Sequence, residues 1–359
     1  MKRVPLLAAA ALIALAAGAA EAKEYLLTAA KPNKLVLIDP AARKVERTYD
    51  IPGPGPSPWT VVPSPDGKIA YVLTDQYESI SGIDLDSGKE VFRTAIKAEG
   101  KRTKILPAID ISPDGKELYA ILSPVKLLPS EYQVQDTTLA VFSTEAGTTA
   151  KPVREFKVPR RIAQLYTAKD GKTVYGLGWD LYGIDPRTGK VKVTSKLTNL
   201  KRTNFTPPDI LAYWPQFEQT GVFSTPYFVG RTDLPPTDPA AFQTGLLTLD
   251  LANGAVKLRE FENTAVPIFS SVVNPANRDE VFTVYSHLSK VNLRDKKLID
   301  RVPLAHSYYT INISGDGKEV YTGGTLCDVG IHSTADLKQV GRVEIPGCAD
   351  MVHGSLRVI

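Results

Sequence analysis

The stretch PLAHSYYTINISGDGKEVYTGG, Pro303 to Gly324, places His306 beside Ser307 and ahead of Tyr308 and Tyr309. A His next to a hydroxyl could be half of a nucleophilic pair. Such a Ser needs an activating turn of the G-x-S-x-G kind and an Asp partner, and neither is visible around Ser307. The simpler reading is a hydrogen-bonded structural or interface His. The other histidines, His287, His332 and His353, make no H-x-x-x-H or carboxylate-bearing spacing, so a metal site is not expected. Cys327 and Cys348 form neither C-x-x-C nor C-x-x-C-H, which gives this chain no covalent haem motif and no zinc or thiol-exchange motif.

Residues 1–22, MKRVPLLAAAALIALAAGAAEA, have the basic start, apolar block and small-residue end of a secretory signal, so the mature chain is expected to span 23–359 in the periplasm. No second long apolar run follows, and no membrane span is expected. Of 43 basic and 39 acidic residues, removal of Lys2, Arg3 and Glu21 leaves 41 and 38, a balance of +3. That is too small to point to nucleic acid.

A recurring unit positions all of these residues. An apolar strand ending in a polar residue and a tight turn occurs seven times: LVLIDPAARK, SGIDLDSGK, LAVFSTEAGT, LYGIDPRTGK, LLTLDLANGA, LSKVNLRDKK and VGIHSTADLK. A second turn, of the SPDGK kind, occurs six times, at 63–68, 111–116, 168–172, 216–221, 274–280 and 314–318. Short strands in groups of four read as an all-β, seven-bladed β-propeller in a single domain. With strands a to d running from axis to rim, the first turn joins c to d and the second joins a to b. The chain opens into b and c strands, EYLLTAA and KLVLID, and ends on an orphan a strand, so Met351–Ile359 is expected to pair with Glu24–Ala30 and close the ring. The Asp that ends several c strands (Asp39, Asp84, Asp185, Asp250) is read as a turn cap.

The a–b and c–d turns then share one face and the b–c and d–a connections the other. The second face collects the irregular segments 52–59, 97–107, 123–138, 199–209 and 224–243, and recognition is expected there. His306 should stand on that face at the mouth of the channel. Tyr308 and Tyr309 are read as packing between blades, with one hydroxyl available to a ligand. Trp59, Trp179 and Trp214 are read as packing residues, a rigid ring near the mouth serving equally as a pocket wall. Cys327 and Cys348 fall on neighbouring loops of this face, where they either form a disulfide across the closure seam or remain two thiols. Three basic clusters, Lys101, Arg102 and Lys104, Arg160 and Arg161, and Lys201 and Arg202, lie in consecutive d–a connections. They are either ordinary solvated charge or one docking sector for an acidic partner.

The segments KEYLLTAAKPNKLVLID, YGLGWDLYGIDP, PDILAYWPQFEQTGVFSTPYF, TGLLTLDL and VPLAHSYYTINIS, in this order along the mature chain, resemble the β subunit of quinohemoprotein amine dehydrogenase. The resemblance implies a non-catalytic propeller subunit in a heterotrimer. In that family a small γ subunit carries cysteine tryptophylquinone, a di-haem cytochrome c forms the α subunit, and primary amines are oxidised with electrons passed to a soluble carrier. It implies no cofactor on this chain, with His306, Tyr308 and Trp214 as candidate pocket or interface residues. Cys327 and Cys348 are not features of the family's propeller. Two alternatives are the heavy subunit of a methylamine-dehydrogenase-like complex and a stand-alone lactonase-like hydrolase; a third is an interaction platform with other partners.

Overall fold

The computed structural model describes residues 23–53, 58–214, 216–351 and 355–359. The expected signal segment, loop residues 54–57 and His353 lie outside them. Seven antiparallel sheets form the blades of a β-propeller. The inner strands are Leu356–Val358, Val61–Pro63, Lys101–Ile111, Gln164–Thr167, Asp209–Ile210, Ile268–Val273 and Thr310–Ile313, for blades one to seven. Six blades have four strands, and blade three carries a fifth, Tyr132–Val134.

Blade one closes the ring from both ends of the chain. Leu26, Leu27 and Thr28 pair with Val358, Arg357 and Leu356, and Tyr25 and Ile359 exchange backbone hydrogen bonds of 2.9 and 3.0 Å. The unpaired edge that Leu26–Ala30 would otherwise present is thereby removed. The c-strand acids cap their turns as expected: Asp39, Asp84, Asp185 and Asp250 accept from the backbone N–H of Ala42, Ser87, Arg187 and Ala252 at 2.7–2.9 Å.

The core lies between blades, because each sheet must bury both faces. Between blades two and three, Tyr71, Phe92 and Phe142 meet edge to face with centroids 5.5 and 6.3 Å apart. Between blades four and five, Tyr166 stacks on Phe223 at 4.2 Å. Tyr227 lies across the strand from Gly245, and a Cβ there would stand 2.3 Å from its ring, so glycine makes room for the aromatic.

Three expectations are corrected. The segments 97–107 and 123–138 are largely ladder, and 224–243 begins and ends in it: blade three has strands of 11 residues, Lys101–Ile111 and Glu117–Leu127, and blade five has strands of 9, Val222–Gly230 and Phe242–Asp250. Their β-branched and aromatic residues favour extension, which the loop reading undervalued. In blade five the inner strand is only Asp209–Ile210, just ahead of LAYWPQFEQ, which reads as that strand from the sequence; none of the described residues of LAYWPQFEQ is in a strand, and Pro226 opposite supplies no N–H to extend the ladder. Lys101, Arg102 and Lys104 therefore sit in a strand, not in a connection.

Candidate functional site

His306 turns away from the channel. Its Nε2 lies 3.0 Å from Asp328 Oδ1 at the start of a c strand, and its Nδ1 lies 2.9 Å from the Ser307 carbonyl oxygen. With both ring nitrogens facing acceptors, neither is placed to take a proton from the Ser307 hydroxyl. Asp328 is fully buried; it also receives the Tyr308 hydroxyl at 2.6 Å and Arg342 Nε at 2.9 Å. Burial first, and then this carboxylate, push the Tyr308 hydroxyl well above its usual range. His306 leaves the outer strand Lys297–Pro303 at the start of the crossing loop, so it stands over the middle of blade seven, and Tyr308 packs beneath it with ring centroids 4.1 Å apart.

The residue that reaches the axis is Tyr309. It packs on Phe269 at 4.9 Å and on Trp214 at 5.8 Å, while Phe269 stacks on Tyr285 at 4.0 Å. Trp214 is 6% exposed, its indole N–H has no protein partner, and it tilts against Tyr213. On blade two, Trp59 meets Tyr77 edge to face at 4.7 Å, and burial, with a smaller contribution from Tyr213, raises the Tyr77 hydroxyl to about 12. Aromatic side chains of blades two, five, six and seven thus gather at the loop-rich mouth of the channel.

A signal for this cap was present in the sequence and was missed. Trp59, Phe269 and Tyr309 each stand five residues before the capping residue of their a–b turn, Ser64, Asn274 and Ser314. Trp59 and Tyr309 also donate the same backbone bond, to Leu73 O at 2.8 Å and Gly323 O at 2.9 Å.

Tyr77 is held over the mouth by an unusual turn. Asp75, Gln76 and Tyr77 have φ of 55°, 53° and 70°, three successive non-glycine residues in the left-handed region. Each such residue costs about 1–3 kcal/mol and persists only where its surroundings enforce it. Here the enforcement comes from the first basic cluster. Lys104 donates to Gln76 O at 2.5 Å, Arg102 and Lys104 pair with Glu78 at 2.7 and 2.9 Å, and Lys97 pairs with Asp75 at 3.2 Å. Burial works to raise the Glu78 carboxyl, but Lys104 and Arg102 outweigh it and hold Glu78 below the usual range.

The remaining cations divide in a similar way. Arg202 is ion-paired with Glu260, which also accepts from the Tyr227 hydroxyl at 2.7 Å. Lys101, Arg160, Arg161 and Lys201 are exposed. Arg161 lies over Trp179, its guanidinium 4.7 Å from the ring centroid, and Trp179 is 57% exposed, against the expectation that it packs. Cys327 and Cys348 form a disulfide with Cα atoms 5.7 Å apart, tying the last b–c loop to the connection into the closing strand.

The other end of the axis gathers buried polar side chains beneath a mostly apolar lining. An open recess of about 590 Å³ is lined in part by Asp110, Thr167, Glu218 and Arg357. Arg357, from the closing strand, crosses to pair with Glu218 of blade five and donates to Val61 O of blade two at 2.9 Å. Asn312 of blade seven joins through Glu218 Oε2 at 3.2 Å. Burial pushes the Asp110 carboxyl up, only partly offset by Thr167, whose N–H donates at 2.5 Å, and by Arg357. None of these side chains was singled out from the sequence, where Asp110, Glu218 and Arg357 stand more than 100 residues apart.

No family model and no curated protein matches the sequence. Among solved structures, a chain of the hydrazine synthase of Kuenenia stuttgartiensis matches with a TM-score of 0.59 and 16% identity, covering 85% of this chain and 90% of that one. A functionally unknown protein from Desulfotomaculum acetoxidans matches with a TM-score of 0.59 and 10% identity, covering 93% and 99%. At these identities the likeness concerns the fold, and the chain is a seven-bladed β-propeller related to both only distantly.

Proposed function

We propose that this chain is the non-catalytic propeller subunit of a periplasmic quinohemoprotein amine dehydrogenase, seated by its loop-rich face on a small quinone-bearing subunit beside a di-haem cytochrome c. The observation that carries the reading is the one-sided distribution of apolar surface. Among the described residues, the exposed large apolar side chains are Val91, Val193 and Ile299 on the outer strands and Leu127, Tyr132, Val134, Trp179, Tyr213, Phe242 and Leu326 on the loop-rich face. The short turns contribute only Val153, which precedes the outer strand Arg154–Lys157. Apolar surface gathered on one face, with an aromatic cap at its centre, suits a partner that must be kept dry.

In such a complex the quinone supplies the oxidation of the amine and belongs to the partner. What this chain contributes is a rigid wall. The Trp214, Phe269, Tyr285 and Tyr309 rings exclude water from whatever lies on the axis, and the left-handed turn at 75–77 fixes Tyr77 beside them. His306 and Tyr308, engaged with Asp328, support blade seven and leave Trp214 as the candidate nearest the covered site. The test is purification of the chain from its host, with visible spectra and amine oxidation by an artificial acceptor. Co-elution with haem c and quinone absorbance, together with amine turnover, is expected. Turnover of amines or lactones by this chain alone would overturn the reading.

A further inference from the structure

Blade four is much shorter than its neighbours on the loop-rich side. Its second strand, Val174–Leu177, has 4 residues, against 11 in blade three and 9 in blade five, and all three start just after their a–b turns. At ~3.3 Å per residue the neighbours run past blade four by roughly 15–25 Å. The result is a notch with blade four as its floor. Tyr132 and Val134 stand on the blade-three wall, 69% and 57% exposed.

The floor is built to hold one aromatic side chain in place. Trp179 sits at a tight turn closed by Gly178 N–H donating to Asp180 O at 3.0 Å. The Thr198 hydroxyl donates to Trp179 O at 2.5 Å, and Asp180 Oδ1 accepts from the Leu197 and Thr198 N–H groups at 2.8 and 3.1 Å. Arg161, at φ 65°, lays its guanidinium on the ring, and a Cβ on Gly178 would come within 2.6 Å of the Arg161 carbonyl oxygen. An exposed Trp fixed this way loses little side-chain freedom on binding.

The charge around the notch is mostly positive. Arg160, Arg161, Lys196 and Lys201 are exposed, and none has a carboxylate in salt-bridge reach among the described residues. Asp136 and Asp233 are already paired with Lys157 and Arg231, and Asp180 is engaged with the Leu197 and Thr198 N–H groups, which leaves Glu131 at the hairpin tip and Asp209 at the start of the blade-five inner strand.

We propose that the notch over blade four receives an acidic segment of a partner polypeptide, anchored by an apolar side chain on the Trp179–Arg161 pair. The inference rests on the preceding reading for the presence of a partner on this face, and not for that partner's cofactor. The full chain is titrated with a short synthetic peptide of Glu and Asp around one central Phe, at low and high ionic strength. Binding that weakens with salt is expected, with an about tenfold loss in Trp179→Ala and in Arg160→Glu/Arg161→Glu. Lys68→Glu/Lys116→Glu, on the short-turn face, leaves it unchanged. Absence of binding at low salt, equal binding of a Lys-for-acid peptide, or equal loss in the short-turn variant would overturn the proposal. Peptide binding without amine oxidation by the native assembly would sink only the dehydrogenase reading, and the reverse result only the notch.

Discussion

The two faces of the ring use left-handed backbone differently. Among the described residues, the short-turn face has twelve residues with φ in that region, and nine are glycine; Arg43, Lys296 and Leu337 are the others. The loop-rich face has ten, of which only Gly53, Gly100, Gly324 and Gly347 are glycine, while Asp75, Gln76, Tyr77, Arg161, Asn204 and Leu326 carry side chains. Glycine adopts this conformation without a Cβ penalty, so the short turns are unstrained and repeat from blade to blade. Where a side chain is kept in spite of the strain, its position matters to something beyond the turn. Tyr77 and Arg161 are the clearest cases, one held over the channel mouth and the other on Trp179.

The largest expected effect tests whether both faces depend on the closure seam. Deleting residues 352–359 re-exposes the edge at Leu26–Thr28, removes the buried Leu356 and Val358, and leaves Glu218 without Arg357. Losing one partner of a buried ion pair alone costs about 3–5 kcal/mol. Thermal melting is therefore expected to fall by roughly 10 °C or more. An unchanged midpoint would show that the two faces are held independently of the seam.

The disulfide comes next, because it braces only the loop-rich side of that seam. Cys327 and Cys348 are 21 residues apart, and Cys327→Ser/Cys348→Ser is expected to cost about 3 kcal/mol in denaturant unfolding. Two reactive thiols in the unreduced protein would contradict the bond itself.

Glycine exchange then sharpens the contrast directly. Gly67→Ala, at φ 69° with open space around its Cβ, is expected to destabilise by about 1 kcal/mol through backbone strain alone. Gln76→Gly is expected to stabilise by a similar amount while loosening Tyr77. Destabilisation by both would mean that the turn at 75–77 is not strained.

The smallest effect concerns the buried polar groups at the end of the channel away from its mouth. Burial raises the Asp110 pKa above its unfolded value, so the folded protein binds this proton more tightly than the unfolded chain does. Stability from this group is present below the unfolded value, near 3.8, and is lost as pH rises through the folded one. Asp110→Asn is accordingly expected to gain in melting temperature relative to the parent protein at neutral pH compared with pH about 4. A difference independent of pH would show that burial does not shift the Asp110 pKa.

Much of the scaffold could be read from the letters because its causes are local. Asp39, Asp84, Asp185 and Asp250 reach backbone N–H groups two or three residues on, so the type and position of each Asp suffice. The closing strand was legible for a related reason: seven c–d turns against six a–b turns leave one blade to be shared by the two ends. The errors arose where direction depends on a neighbour. Tyr308 and Tyr309 are adjacent and alike, yet one enters blade seven toward Asp328 and the other joins Phe269 and Trp214 on the axis. The cations of 101–104 looked free because Glu78, which neutralises two of them, lies on another blade.

Periodicity, turn chemistry and the count of repeats thus determined a closed ring of seven sheets with one plain face and one elaborate face, since each rests on contacts within a few residues of sequence. Tertiary structure alone decided which aromatic rings meet over the channel, which charges remain unpaired beside the notch, and that Arg357 spans the axis to Glu218. Those contacts join residues from different blades, and their partners are set only when the blades have been brought around a common axis.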